Sequence, residues 1–159
     1  KNHELLIRAF GNVVERLPES RLIIVGSGPE NKNLEKIISS LGLGTVIKLI
    51  KPTTNPFPYY RYSDLFVLTS RWEGFGNVLV EALYCGCPVL SVACEGGPRE
   101  ILGDGAFGRI IPNNSVSSLS DAIIDLLLHP LSSESREAAR LASERYHITT
   151  VSRAYLDGM

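Results

Sequence analysis

Residues 21–29 read Arg21-Leu22-Ile23-Ile24-Val25-Gly26-Ser27-Gly28-Pro29, an unbroken apolar and β-branched run that stops at a glycine-bearing turn. Continuous rather than alternating apolarity belongs to a strand covered on both faces, as in a parallel sheet sandwiched between helices. Upstream, Leu5, Leu6, Ala9, Phe10, Val13, Val14 and Leu17 recur at helical spacing over residues 2–17, and Pro18 closes that helix. Downstream, Leu34, Ile37, Ile38 and Leu41 mark a second helix, and residues 45–50 a second strand. The alternation continues with strands at 64–69 and 88–92, helices at 76–84 and 98–102, and a short extended piece at 108–111. Helices at 118–128 and 133–146 follow.

Strands separated by helices of this length are βαβ units, whose right-handed crossovers put helices on both faces of the sheet. The predicted fold class is therefore α/β, a Rossmann-like doubly wound parallel sheet. Such a sheet normally begins with a strand, whereas this sequence opens on a helix, so the expectation is that residues 1–159 form one domain of a longer chain whose first strand lies upstream.

The 159 residues are 44% apolar and 21% charged, with a formal net charge of -1. That balance fits a globular domain and lacks the basic excess of a nucleic-acid binder. No apolar run reaches the roughly 18–20 residues that span a bilayer, and residues 1–10 lack a secretory signal, so a cytoplasmic location is expected. Cys85, Cys87 and Cys94 are odd in number and sit among apolar residues, which points to free thiols. His3, His129 and His147 lie far from them in sequence, and no metal site is expected.

Ligands of parallel sheets bind at the carboxyl ends of the strands, so the chemistry is sought in the strand-to-helix turns. The turn at Gly26 lacks the third glycine of a dinucleotide fingerprint, Asn31 standing there instead, which argues against a nicotinamide cofactor. The segment Thr69-Ser70-Arg71-Trp72-Glu73-Gly74-Phe75-Gly76-Asn77-Val78-Leu79-Val80-Glu81 places a glycine-bearing turn directly before a helix. Free N–H groups at Gly76, Asn77 and Val78, at the positive end of the helix dipole, suit a diphosphate. Glu81 falls about one turn inside that helix, where a carboxylate among apolar residues needs a ligand or partner, and Glu73 falls on the loop before it. Gly96-Gly97-Pro98 forms a third such turn, read either as a tight connection or as a backbone wall beside the same phosphates.

Glu73-Gly74-Phe75-Gly76-Asn77-Val78-Leu79-Val80-Glu81, followed by Gly86-Cys87-Pro88-Val89 and by Gly96-Gly97-Pro98-Arg99-Glu100-Ile101, resembles the E-x7-E signature region of family-four retaining glycosyltransferases, which have the GT-B fold. Lys1-Asn2-His3 resembles that family's K-G start and Val25-Gly26-Ser27-Gly28-Pro29 its V-G-x-G-P turn. Tyr62-Ser63-Asp64-Leu65-Phe66-Val67 resembles its Y-x-x-A-D motif before a strand. These segments cover residues 1–130 in the family's order.

The resemblance implies one half of a GT-B fold, the C-terminal sugar-nucleotide-binding domain, with the N-terminal acceptor domain outside residues 1–159. It implies Glu73 as the catalytic-site glutamate that contacts the donor sugar, and Glu81 as the ribose ligand. Lys1 would bind the diphosphate, and backbone at Phe75, Gly76, Asn77 and Val78 the distal phosphate. The base would lie near Leu49 to Lys51, beside Gly26. The implied reaction is retaining glycosyl transfer from a nucleotide-diphosphate sugar, with no metal and no other cofactor, to an acceptor sugar or lipid-linked glycan. It implies a role in polysaccharide or glycolipid synthesis, with membrane association at the inner face through the other domain. A sugar-nucleotide epimerase, a glycogen-synthase-like enzyme and a non-catalytic partner-binding module remain open alternatives at this stage. Ile50-Lys51, where the family has glycine, leaves the base unassigned.

Overall fold

The computed structural model of the protein describes residues 1–112 and 115–147. The elements run in the order helix α1 (His3–Arg16), strand β1 (Leu22–Val25), α2 (Asn31–Ser40), β2 (Ile47–Ile50), α3 (Phe57–Arg61), β3 (Phe66–Leu68) and α4 (Asn77–Tyr84). Then come β4 (Val89–Val92), α5 (Pro98–Ile101), a 3₁₀ turn at Gly103–Gly105, β5 (Arg109–Ile111), α6 (Val116–Leu128), α7 (Ser133–Ser143) and a 3₁₀ turn at Glu144–Tyr146. All the strand pairs are parallel, as the continuous apolar runs require.

Strand β4 shows why helices cover both faces. All four of its residues are buried. Leu90 and Val92 pack into a cluster built from α1, α2, β1 and α6, where Ile7, Val13 and Leu119 are fully enclosed. Val89 points the other way, into a second cluster with Leu79, Leu83, Ile101 and Leu102 from α4 and α5. Neighbouring side chains of one strand thus feed two cores.

Several expectations shift. The single predicted sheet consists, among the described residues, of two parallel pieces, β1-β2 and β3-β4-β5. A cleft of about 1670 Å³ runs between them, walled by Leu22 to Val25 on one side and Leu65 to Ser70 on the other. The strands predicted at 45–50 and 64–69 shorten to Ile47–Ile50 and Phe66–Leu68. Tyr59, Tyr60 and Tyr62 lie in or just after α3, which the sequence reading missed. Pro56 and Pro58 at its start do not break it, because a proline in the first turn of a helix loses no hydrogen bond, its N–H being unpaired there anyway. The final helix, predicted over 133–146, packs Ala139 into the second core and ends in the Glu144–Tyr146 turn.

Candidate functional site

The turn after β3 gathers the site. Thr69 and Ser70 end the apolar strand with two buried hydroxyls. Thr69 Oγ1 donates to the carbonyl oxygens of Lys1 (2.9 Å) and Asn2 (3.2 Å), tying the start of the chain to the carboxyl end of β3. Ser70 Oγ donates to Glu73 Oε1 at 2.5 Å, and Lys1 Nζ bonds the same oxygen. The Glu73 side chain is only 11% exposed. Burial alone pushes its carboxyl up, but the bonds from Lys1 and Ser70 outweigh that and hold it below the usual carboxylate range. Two residues 72 apart in sequence, Lys1 and Glu73, are thus one ion pair.

The loop carrying Glu73 is braced by the turn at Gly96. Glu73 N–H donates to the Glu95 carbonyl (3.2 Å) and Gly97 N–H to the Gly74 carbonyl (3.0 Å). A Cβ at Gly96 would stand 1.7 Å from the Glu73 carbonyl oxygen, and one at Gly97 2.1 Å from that of Phe75. The turn at Gly96-Gly97 is thus a tight connection: these glycines let two backbones touch, and their immediate contact is the 73–75 loop.

Helix α4 begins at Asn77, with Gly76 before it at φ 94°, a left-handed conformation open to glycine. No hydrogen bond among the described residues uses the N–H groups of Gly76, Asn77 or Val78, so three donors sit unengaged at the helix start. Gly76 is buried against Leu79, Pro98 and Ile101, while Phe75 is 40% exposed and meets the Tyr146 ring edge-on at 5.1 Å.

Glu81 is half-buried one turn into α4, and it has a side-chain partner, as its apolar sequence context required. Tyr60 Oη donates to Glu81 Oε2 at 2.9 Å. Tyr60 is also the tyrosine that is buried at this strand start: it stands four residues before Asp64, whereas Tyr62, the residue matched from sequence, is 83% exposed. Gly26 N–H pairs with the Ile50 carbonyl at 2.9 Å, setting the Gly26 turn beside residues 49–51.

Glu73 precedes the helix start and Glu81 lies one turn inside it, and neither forms the wall of the large cleft. Their partners do: Lys1 and Ser70 for Glu73, and Tyr60 for Glu81, line that cleft together with Gly26 and Val78. Phe75, Gly76 and Asn77 lie outside its lining. Sequence reasoning missed Ser70, Thr69 and Tyr60. Their only trace there is a pair of hydroxyls closing an apolar strand and one aromatic among three. All three cysteines are free, Cys87 buried and the others half-buried; burial pushes the Cys87 thiol up to about 12. Among the described residues, no helix is long and apolar enough to cross a membrane.

Comparison with known proteins agrees with this architecture. Residues 1–145 match the family model described as glycosyl transferases group 1. The chain is 34% identical over 127 residues to the N-acetylgalactosamine-N,N'-diacetylbacillosaminyl-diphospho-undecaprenol 4-alpha-N-acetylgalactosaminyltransferase of Campylobacter jejuni, an alignment covering 80% of this chain and 34% of that protein. It is 36% identical over 127 residues to the poly(glycerol-phosphate) alpha-glucosyltransferase of Bacillus subtilis, covering 80% of this chain and 19% of the relative. Among solved structures, a point mutant of S. aureus TarM in complex with fondaparinux, alpha-GlcNAc-glycerol and UDP superposes with a TM-score of 0.89. That match has 27% identity and covers 99% of this chain and 32% of TarM. Anabaena HepE in complex with UDP and glucose gives a TM-score of 0.85 at 26% identity, covering 99% of this chain and 44% of HepE. This chain therefore spans well under half the length of each of these relatives, and over that span it belongs to the group 1 glycosyl transferases.

Proposed function

We propose that this chain is the donor-binding domain of a retaining glycosyltransferase, holding a nucleotide-diphosphate sugar for transfer of its glycosyl group to an acceptor hydroxyl. The observation that carries the reading is the helix start at Gly76. It presents three unengaged N–H donors a few residues after Glu73, which the fold pairs with Lys1.

In this reading the C1–O bond to the diphosphate breaks while the acceptor oxygen bonds C1 and passes its proton to the departing diphosphate oxygen. Positive charge grows on the sugar and negative charge on the departing diphosphate. Amides at Phe75, Gly76, Asn77 and Val78 receive the distal phosphate, and Lys1 adds a cation, so the charge is met by groups already fixed in place. Loss of one such donor typically costs about 3 kcal/mol of transition-state stabilisation. Glu73 accepts hydroxyls of the transferred sugar and Glu81 those of the ribose, with the base beside Gly26. Because Lys1 is bonded to Glu73, an arriving diphosphate competes for the cation and frees the carboxylate for sugar hydroxyls. Charge neutralisation falls to amides and lysine rather than to a metal, so chelation by EDTA leaves donor binding unchanged.

The acceptor site, for a sugar or lipid-linked glycan, belongs to a second domain of the same protein, and the reaction serves cell-surface polysaccharide or glycolipid synthesis on the cytoplasmic side of the membrane. The relatives' greater length supports a second domain. Calorimetry with UDP and GDP tests the core of the proposal. One of them binds, and Lys1→Ala weakens that binding by roughly tenfold, the loss of one hydrogen bond to a charged group. Failure of the folded protein to bind either nucleotide overturns it.

A further inference from the structure

Tyr60 is the one aromatic side chain of α3 that is buried, and its position is fixed from three directions. Its ring meets Phe66 of β3 edge-on at 5.4 Å and Phe57 at 6.5 Å, while its hydroxyl reaches out of the cluster to the Glu81 carboxylate. Two edge-on aromatic contacts leave the phenol little freedom, so the oxygen is presented at a set point. Burial first, and the bond to Glu81 second, raise the tyrosine far above its ordinary titration range, so it remains a donor at any physiological pH. On the acceptor side, the bond takes Oε2, and no hydrogen bond among the described residues reaches Oε1. A glutamate side chain without a partner samples several rotamers at an entropic cost when it binds. One held at a single oxygen presents the other in one place.

We propose that Tyr60 is a positioning residue for donor recognition, its hydroxyl fixing the Glu81 carboxylate so that Oε1 faces the ribose hydroxyls of the bound nucleotide. The inference rests on the reading of Glu81 as the ribose ligand and adds a residue that the glutamate spacing does not include. It also gives α3 a task. The short helix supplies the rigid mount from which a side chain 21 residues away in sequence is aimed.

The test compares affinities for UDP and for 2′,3′-dideoxyuridine diphosphate, or the guanosine pair if GDP is the nucleotide bound, in the wild type, Tyr60→Phe and Glu81→Gln. Phenylalanine keeps both ring contacts and removes only the oxygen. The wild type prefers the ribonucleotide, and Tyr60→Phe lowers that preference by roughly three- to tenfold while leaving the dideoxy affinity in place. Glu81→Gln lowers the preference at least as much. A variant that had merely lost packing would weaken both nucleotides alike, so the ratio separates aiming from folding. A wild-type preference that Glu81→Gln abolishes and Tyr60→Phe leaves intact overturns the inference and spares the reading of Glu81. Equal wild-type affinities for the two nucleotides overturn both.

Discussion

Asn2 adopts φ 55° and ψ 41° where α1 begins, a left-handed conformation that most L-residues avoid and asparagine tolerates. It occupies the second position of the motif that resembles a K-G start, so the sequence departure from glycine and the backbone conformation explain one another. Asn2→Gly is expected to change stability by less than about 0.5 kcal/mol, and Asn2→Val to cost about 1–2 kcal/mol, read from urea unfolding midpoints. Glu73 makes a pH prediction. Its carboxyl is held lower in the folded chain than in the unfolded one, so its contribution to stability is complete above about pH 4.3, the ordinary glutamate value, and fades as pH falls through the lower folded value. Glu73→Gln should flatten that part of the acid limb, measurable as the slope of unfolding free energy between pH 6 and 3. The spacing of Glu73 and Glu81 around Gly76 was legible in the sequence because a helix start and its flanks are local. The side chains that hold those glutamates were not legible, since Lys1 and Tyr60 come from other turns of the fold and only packing brings them in.

Among the elements, the long helices declare themselves by apolar period and by caps. Ser115 and Ser132 accept from the N–H groups of Ser118 and Ser135 at the starts of α6 and α7. Replacing either serine by alanine should lower stability by about 1 kcal/mol, a shift of a few degrees in the thermal midpoint. The short α3 was hidden because its two prolines look like breakers, although Asn55 Oδ1 accepting from Phe57 N–H at 3.3 Å starts it in an ordinary way. The turn at Gly96 carries the sharpest expectation of the set. At φ 108° and with the Glu73 carbonyl 1.7 Å from any Cβ, Gly96→Ala cannot be accommodated without moving the loop. It should cost about 3 kcal/mol or more and weaken nucleotide binding in whatever protein remains folded. The sequence showed a glycine pair there, but not that its neighbour was backbone of the same chain rather than a ligand.

Across the whole molecule, the parallel class and the two-faced burial followed from apolar runs such as 21–25, whereas the order of the strands did not, because nothing in a strand's own residues records which strand lies beside it. Leu22 and Gly26 donate to Val46 and Ile50, so the alternate amides of Ile23 and Val25 point away from β2. On the other piece, Phe66 N–H donates to the Pro88 carbonyl, leaving that of Val67 turned toward the cleft. Hydrogen exchange should therefore show Ile23, Val25 and Val67 exchanging much faster than the amides of β4, which is paired on both sides. Equal protection would mean that something bridges the two pieces. Two bare strand margins facing one gap can be satisfied together only by an extended segment that runs parallel to both.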